Sequence, residues 1–393
     1  MYDFTTAPNR KGTGAFKWEA MQALNPEVEE GVIPLSVADM EFYNAPEITE
    51  GLKRYLDRNV LGYTGPTEAY DQSVLSWQKR RHNVTVSREQ MVQSDGIVPA
   101  LYRLVGVFSK PEDSVLVLTP VYYPFFRAIE ENGRKVVRSA LIPNGRTYEI
   151  DFSDFAEKAA RKDVTLCILS SPHNPMGKVF SGEEIQKLAE ICYENGVFVI
   201  ADEIHNDLIL PGYRHVSFGT LDEPYRNNCV LCTAPSKTFN LAGMKCSNLF
   251  LFDPERRKQF ADAEGYTSLG ALSYEACRLA YDEAEGWLDA LLLVLDENKR
   301  MVETFLRERL PMLIPYELQG TYLLWVDCRA LGLSAAELER FMTKEAQLFL
   351  DEGILFGEEG AGFERINIAC PKDKLYEALL RLERAVTKLV GKE

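Results

Sequence analysis

A lysine in a small, polar segment is the residue of this sequence best suited to covalent chemistry. Lys237 lies within TAPSKTFNLAGMKCS at 233–247, just after a strand-like run, and a second cation, Lys245, follows it in the same segment. A lysine that can lose its proton forms a Schiff base with an aldehyde cofactor. Taken alone, a loop lysine is far more often a solvated surface charge. The neighbouring segments therefore decide between the two interpretations.

Two polar side chains follow neighbouring strand-like runs and supply what a pyridoxal phosphate site needs. Asp202, within VIADEIH at 199–205, ends a buried run, where open α/β sheets place their ligand crevice, and a carboxylate there can keep a pyridine nitrogen protonated. Asn174, within SSPHNPMG at 170–177, follows the preceding run, so one β-α-β step brings both side chains to neighbouring strand ends. The alternatives are a helix N-cap for Asp202 and a turn-forming asparagine for Asn174.

The cysteines and histidines do not suggest a metal site. Most of the eight cysteines lie in apolar strand-like runs, where cysteine behaves as a small buried hydrophobe. Cys229 and Cys232 form a C-x-x-C, but residues three apart in an extended segment point to opposite faces, and no second pair completes a zinc site. The four histidines lack metalloprotease spacing. We therefore predict no metal ligands.

The composition excludes several classes of protein. With 44 basic and 59 acidic side chains the net charge is −15, which disfavours a nucleic-acid-binding surface. Hydrophobic residues make up 46% and charged residues 26%, as in ordinary globular proteins, so a disordered or fibrous chain is excluded. The N-terminal residues lack the apolar run of a signal peptide, and no stretch is apolar enough to predict a membrane span. We expect a cytoplasmic protein without membrane contact.

The elements that must position these residues alternate between strands and helices. Short β-rich runs are predicted at 115–119, 164–170, 196–202, 229–233 and 248–252, and near-continuous apolar character is typical of strands buried on both faces. A helix at 182–195, with apolar residues at helical spacing and a stop at Asn195-Gly196, completes a β-α-β unit. Another helix is predicted at 98–108. The pattern predicts an α/β fold with a mostly parallel mixed sheet between helices.

The C-terminal third has a different pattern, which predicts a second, smaller α+β domain. Long helical patterns after about residue 275 are followed by a strand at 321–327, a helix near 334–350, a strand at 364–370 and a terminal helix from Lys372. The first 40-odd residues look irregular. We predict an N-terminal segment at 1–44 that packs with the small domain, a large cofactor-binding domain at 45–280 and a small domain at 281–393.

Seven motifs in order resemble the fold-type-I pyridoxal-phosphate enzymes of the aspartate aminotransferase superfamily. They are GYTG (62–65), SDGIVPAL (94–101), TPVYYPF (119–125), SSPHNPMG, ADEIHNDL (201–208), APSKTFNLAG (234–243) and ERINIAC (364–370). The segments VADMEF (37–42), HNPMGKVF, DEIH and SKTFNLAG resemble more closely the cystathionine β-lyase branch, the carbon–sulfur lyases. The likeness runs in register from about residue 34 to 371.

The resemblance implies pyridoxal 5′-phosphate as cofactor and three catalytic residues. Lys237 would be the Schiff-base lysine and later the proton shuttle at Cα, Asp202 would hold the pyridine nitrogen, and Tyr122 would stack on the ring. Asn174 would donate to the cofactor's phenolic oxygen. His205 occupies a position that carries an aromatic residue near this oxygen in related enzymes, and a structural histidine is the alternative.

The resemblance also implies a phosphate site that two subunits of a homodimer share. The backbone of a helix N-terminus would bind the phosphate with the help of a hydroxyl and a cation, and a tyrosine would reach it from the neighbouring subunit. These residues are Gly96, Ile97, Val98, Ser236, Lys245 and, from the other subunit, Tyr63. An ordinary core or surface position is the alternative for the tyrosines Tyr63 and Tyr122.

The substrate is expected to be a small molecule, an amino acid. Arg365 would form a bidentate pair with its α-carboxylate, and Ala38 would also contact the substrate. A surface ion pair is the alternative role of Arg365. Two departures concern the surroundings: Ser36 stands where the lyase branch commonly has tryptophan, and Lys245 stands where many members have arginine.

The leading functional prediction is a β-lyase that converts L-cystathionine or related cysteine S-conjugates to pyruvate, ammonia and a thiol. An aminotransferase would use the same lysine and aspartate and differs in substrate leaving group and proton routing. From another class, the chain could be a catalytically weak cofactor-binding regulator of a partner protein. The lysine, aspartate and arginine set argues against that last alternative.

Overall fold

A computed structural model describes residues 2–264 and 269–391 of the protein. Within these residues it contains strands in three sheets. They are β1 (Met91–Ser94), β2 (Ser114–Thr119), β3 (Lys135–Ala140), β4 (Ile142–Asn144), β5 (Thr147–Glu149), β6 (Val164–Ser170), β7 (Phe198–Asp202), β8 (Cys229–Thr233), β9 (Ser247–Leu251), β10 (Ile314–Pro315), β11 (Leu323–Asp327), β12 (Asp351–Glu352) and β13 (Phe363–Asn367).

The α-helices lie before, between and after these strands. They are α1 (Phe16–Leu24), α2 (Pro46–Arg58), α3 (Glu68–His82), α4 (Ile97–Phe108), α5 (Pro124–Glu130), α6 (Phe152–Ala159), α7 (Gly182–Glu194), α8 (Glu223–Asn227), α9 (Pro235–Thr238), α10 (Pro254–Glu264), α11 (Ala271–Glu283), α12 (Glu285–Arg309), α13 (Ala335–Arg340) and α14 (Lys372–Val390). Local sequence sets several of their ends. At α7, for example, Ser181 and Glu184 form a capping box that satisfies the first backbone N–H groups.

The main sheet, within the described residues, has seven strands in the order β1-β9-β8-β7-β6-β2-β3. The pairs from β8 through β7, β6 and β2 to β3 are parallel, and β9 runs antiparallel to both of its neighbours. This is the mostly parallel mixed sheet that the apolar runs predict. Because the central strands are parallel, their carboxyl ends share one edge of the sheet.

Both faces of the main sheet are covered by apolar side chains. Along β8, Cys229 and Leu231 join one hydrophobic cluster, whereas Val230 and Cys232 join the cluster on the other face. The prediction that the two cysteines of the C-x-x-C point to opposite faces is therefore confirmed. All eight cysteines are buried and free, and the described part of the chain contains no group of three or more metal-ligating side chains.

A second, antiparallel sheet has the order β10-β11-β13-β12. The N-terminal segment is hydrogen-bonded to this region, because the backbone N–H of Leu35 donates to Phe349 O at 2.9 Å and that of Asn367 donates to Leu35 O at 2.9 Å. These bonds connect the N-terminal segment to the region of the second sheet. The division into a segment at 1–44, a large domain at 45–280 and a small domain at 281–393 stays a prediction. The proposed boundary at 280 falls within the last turn of α11.

Two local predictions are wrong. The first 40-odd residues are not wholly irregular, because FKWEAMQAL forms α1, whose Trp18 and Met21 are buried one helical turn apart. The helix expected near 334–350 ends early: α13 stops at Arg340, one π-helical turn follows at Phe341–Glu345, and Gln347 has a positive φ of 48°. The apolar residues at 348–350 therefore lead into the edge strand β12.

None of the helices within residues 2–264 and 269–391 combines the length and apolar character of a membrane span.

Candidate active site

The carboxyl edge of the main sheet brings the predicted chemical side chains together. Neighbouring strands β8, β7, β6 and β2 lead respectively to Lys237, Asp202, Asn174 and Tyr122. All four residues line one cavity of about 420 Å³. Because these strands are neighbours in the sheet, four motifs that are separated in the sequence place their side chains at one cavity.

Lys237 is a half-buried residue whose amine lies in the cavity. It lies in the short helix α9, and its Nζ donates a hydrogen bond to the backbone oxygen of Ala38 at 2.8 Å. Burial, which penalises the charged ammonium, is the main cause that lowers the pKa of Lys237 to about 8, although the Asp39 carboxylate opposes the shift. The alternative of a solvated surface lysine is therefore wrong, and the amine can lose its proton near neutral pH.

Asp202 is a buried carboxyl group at the end of β7, only 4% exposed. Burial raises the pKa of Asp202 to about 7, against the lowering effects of a hydrogen bond from the Ile204 backbone and the charge of Lys237. The bond from Ile204 N to Asp202 Oδ1 is 3.2 Å long. No helix begins here in the described chain, since the next helical turn starts at Phe218. The N-cap alternative for Asp202 is therefore wrong.

The side chains of Asn174 and Arg365 are hydrogen-bonded to each other. Arg365 Nη1 donates to Asn174 Oδ1 at 2.7 Å, and Arg365 Nη2 donates to Asp351 Oδ2 at 2.6 Å. Arg365 is 2% exposed, so the alternative of a surface ion pair is wrong. Asn174 does lie in a tight turn, but its side chain is also buried at the cavity and keeps its amide N–H₂ available there.

The N-terminus of α4 lines the same cavity. Gly96, Ile97 and Val98 line it together with Ser236 and Lys245. Gly96 has φ of +140°, a conformation that side chains rarely adopt, and it lets the chain turn sharply into the helix. Backbone N–H groups, the positive end of a helix dipole, a hydroxyl and a cation are a donor set suited to a phosphate.

Tyr122 and His205 line the cavity, whereas Tyr63 does not. The Tyr122 ring is half-buried, its removal from water raises the pKa of its phenol, and its backbone N–H donates to Asn174 O at 3.1 Å. His205 is buried with an edge-to-face contact to Tyr322, and burial lowers its pKa. Its Nδ1 has no hydrogen-bond partner among the described residues, so it is not a fully satisfied structural histidine. Tyr63 is fully exposed, and its predicted contact with a second subunit stays a prediction.

The sequence indicates neither the part that the Ala38 backbone plays, although Ala38 itself is predicted to contact the substrate, nor the presence of Asp351 at the site. The role of Ala38 is carried by its backbone carbonyl, which accepts the Lys237 bond and is independent of its side-chain type. Asp351, the acidic partner of Arg365, lies in a short edge strand outside every motif. A periodic pattern cannot indicate such a residue, because its pairing depends on the register of β12 against β13.

The cavity has a polar group for each part of pyridoxal 5′-phosphate. Lys245, Ser236 and the α4 N-terminus suit the phosphate, the Asp202 carboxyl suits a pyridine nitrogen, and Lys237 offers an amine for the aldehyde. The buried His205 Nδ1, which has no partner among the described residues, also suits a polar occupant. Arg365 is not one of the described residues that line this cavity and is connected to it through its hydrogen bond to Asn174. The residues present therefore fit this group.

Comparisons with known proteins give the same picture. The family model described as aminotransferase class I and II matches residues 30–382. Cystathionine beta-lyase PatB of Bacillus subtilis (strain 168) is 37% identical over 388 residues, covering 98% of this chain and 100% of that protein. The structure of cystalysin from Treponema denticola, which contains a pyridoxal 5′-phosphate cofactor, is 44% identical with a TM-score of 0.97, covering 99% of this chain and 100% of that one. The PLP-bound C-S lyase from Staphylococcus hominis is 32% identical with a TM-score of 0.92, covering 98% of both chains.

Proposed function

We propose, from the membership of this chain in the class I and II aminotransferase family, that it is a pyridoxal-phosphate-dependent carbon–sulfur β-lyase. The chain belongs to that family, and the resemblance to its carbon–sulfur lyase branch that the motifs indicate is confirmed. The substrates we propose are L-cystathionine or related cysteine S-conjugates, and the products are pyruvate, ammonia and a thiol. The observation that carries the proposal is the Lys237 amine, whose pKa is lowered to about 8, near Asp202 and Arg365 in a chain similar over 98% of its length to a cystathionine β-lyase.

The residues of the cavity would hold the cofactor at three points. Lys245, Ser236 and the backbone at 96–98 would bind its phosphate, and Asp202 would pair with its ring nitrogen. The bound group supplies an electron sink for the bonds at the substrate Cα. A cationic nitrogen beside Asp202 would favour the charged carboxylate and so lower its pKa from about 7, the value in the cofactor-free site.

Lys237 would hold the cofactor covalently and then act as a general base. Its pKa of about 8 means that a large fraction of the amine is neutral near physiological pH and can accept the substrate α-proton. Arg365 would fix the α-carboxylate by charge-assisted hydrogen bonds and so orient the Cα–H bond toward Lys237. Asn174 would donate its amide N–H₂ to the phenolic oxygen while its Oδ1 accepts from Arg365.

A homodimer with shared active sites is part of this proposal. Exposed apolar side chains surround the fully exposed Tyr63, namely Val60 at 88% and Leu61 at 61% exposure. A second copy of the chain would cover this surface and receive Tyr63 at its phosphate site. We also propose a cytoplasmic location, which eight buried, unpaired thiols support.

One experiment separates the lyase from the aminotransferase, which uses the same residues. The holoenzyme is incubated with L-cystathionine and, separately, with amino acids plus 2-oxoglutarate, and pyruvate, thiol and glutamate are measured. We expect pyruvate and thiol from cystathionine to form faster than glutamate. Lys237→Ala should abolish the reaction, whereas Lys258→Ala, which removes an exposed lysine paired with Asp262, should not. Brisk glutamate formation without pyruvate would replace the lyase by an aminotransferase.

A further inference from the structure

Asp351 is hydrogen-bonded to two parts of the site, the Arg365 side chain and the backbone of Val37, which no sequence motif connects. It lies in the edge strand β12, and its Cα is paired with that of Arg365 in β13. Its Oδ2 accepts two hydrogen bonds, from Arg365 Nη2 at 2.6 Å and from the backbone N–H of Val37 at 2.8 Å. The side chains of this ion pair are 3% and 12% exposed, so water screens the pair little.

The Arg365 guanidinium is fixed on several sides. Asn174 Oδ1 accepts from Nη1, Asp351 accepts from Nη2, and the Phe356 ring lies with its centroid 4.7 Å from Cζ. The buried Nε has no partner among the described residues. A buried charged donor without a partner is costly, so this orientation suits an additional acceptor that comes with a ligand.

Val37 is held in an unfavourable backbone conformation. It is a β-branched residue with φ of +56°, a region that such residues rarely adopt. Besides its bond to Asp351, its carbonyl accepts from Asn367 Nδ2 at 2.7 Å. The next carbonyl, of Ala38, accepts the bond from Lys237. The hydrogen bonds of the Val37 N–H and carbonyl therefore fix the position of the Ala38 oxygen, which accepts the bond from Lys237.

We propose that Asp351 is a positioning residue that orients Arg365 for the α-carboxylate of the substrate and holds the Val37–Asp39 turn that presents Ala38 to Lys237. One carboxylate oxygen thereby sets the relative position of the group that binds the substrate and the turn that holds the catalytic amine. The inference rests on the proposed function for the identity of the ligand, an α-amino acid carboxylate.

The test compares two changes at Asp351 with a matched control. Asp351→Ala removes both bonds, whereas Asp351→Asn keeps a neutral oxygen that can accept both. Asp327→Ala is the control, because Asp327 also pairs with an arginine at 2.6 Å in the same sheet, is 11% exposed and also accepts a backbone N–H. The holoenzymes are titrated by calorimetry with a carboxylic acid that lacks an amino group, and hydrogen exchange is followed in a peptide spanning residues 35–41.

We expect Asp351→Ala to weaken binding of this carboxylate at least about tenfold, the lower end for loss of a charge-assisted hydrogen bond. Exchange at 35–41 should also be faster in this variant. Asp351→Asn should lie between Asp351→Ala and the wild type, and Asp327→Ala should match the wild type in both measurements. Kinetics with L-cystathionine should show the larger change in KM and a smaller one in kcat.

Several outcomes would overturn the inference. It fails if the Asp351→Ala variant binds the carboxylate as tightly as the wild type does and shows the same hydrogen exchange at 35–41. It also fails if the wild-type holoenzyme binds no carboxylate. A purely structural role would lower the melting temperature and leave the carboxylate affinity of the folded protein unchanged. If Asp351→Ala fails to fold, wild-type carboxylate affinity in Asp351→Asn overturns the inference. If the wild type cleaves no cysteine conjugate but the affinity and exchange changes occur, the positioning role stands and the proposed function fails.

Discussion

The titration of Lys237 in the cofactor-free chain is the most direct test of the site. Burial lowers its pKa to about 8 from an ordinary 10.5, with a further lowering by Arg365 and opposition from the carboxylates of Asp39, Asp202 and Asp351. At pH 8 about half of the Lys237 amines are then neutral, against roughly 0.3% for an exposed lysine. We therefore expect Lys237 to react with an aldehyde at pH 8 about a hundredfold more readily than an exposed lysine, as far as proton occupancy decides the rate.

The assay follows the visible absorbance that develops when pyridoxal 5′-phosphate attaches to the cofactor-free protein. Rates are measured at limiting cofactor between pH 6 and 10, and the same series with a blocked free lysine corrects for the titration of the cofactor itself. The corrected rate should rise with a midpoint near pH 8. Because only the neutral amine attacks the aldehyde, the midpoint reports the pKa of Lys237.

Two variants test the cause of the shift, since they should move the midpoint in opposite directions. Asp39→Asn removes the carboxylate that most strongly raises the pKa, so the midpoint should fall. Arg365→Gln removes a neighbouring positive charge, so the midpoint should rise. A wild-type midpoint near 10.5, or shifts of both variants in the same direction, would refute a buried amine tuned by these charges.

Three further changes test the remaining roles. Asp202→Asn should still bind the cofactor but lose at least about tenfold in kcat, because an amide cannot hold the ring proton; near-normal turnover would exclude the role. Tyr63→Phe should weaken cofactor retention modestly, and mixed dimers of Tyr63→Phe with Lys237→Ala should recover one sound site; an active monomer in sedimentation would exclude the shared site. Arg365→Lys should lower kcat/KM well over tenfold for every amino acid substrate, since an ammonium cannot form two parallel bonds to a carboxylate; a loss confined to one substrate would contradict a carboxylate clamp.

The central strands and the row of side chains at their ends were predictable because the signals are local. Apolar runs at 164–170 and 229–233 coincide with β6 and β8, and the helix predicted at 182–195 differs from α7 by one residue. Once these strands are parallel neighbours, Lys237, Asp202 and Asn174 must meet at one edge. In this part of the chain, the order and direction of the strands are enough to bring the predicted chemical side chains together.

Other features depend on contacts between distant segments and have no local signal. Leu348, Phe349 and Leu350 form a short apolar run, which does not distinguish a helix from a strand. They lead to the edge strand in which Asp351 is paired with Arg365. Whether Tyr63 is a surface residue or part of a site depends on a second copy of the chain, which one sequence cannot indicate.

The opposite pKa shifts of Lys237 and Asp202 have one physical origin. The same burial that favours the neutral amine of Lys237 favours the protonated carboxyl of Asp202, so their pKa values converge to about 8 and about 7. A lysine that is easily deprotonated serves catalysis, but a protonated Asp202 does not. A ring nitrogen that carries a positive charge beside Asp202 would resolve this conflict, because it favours the ionised carboxylate there and so lowers the pKa of Asp202. The cavity therefore suits an aldehyde beside the Lys237 amine and a cationic partner beside the Asp202 carboxylate, and a pyridine aldehyde offers both groups.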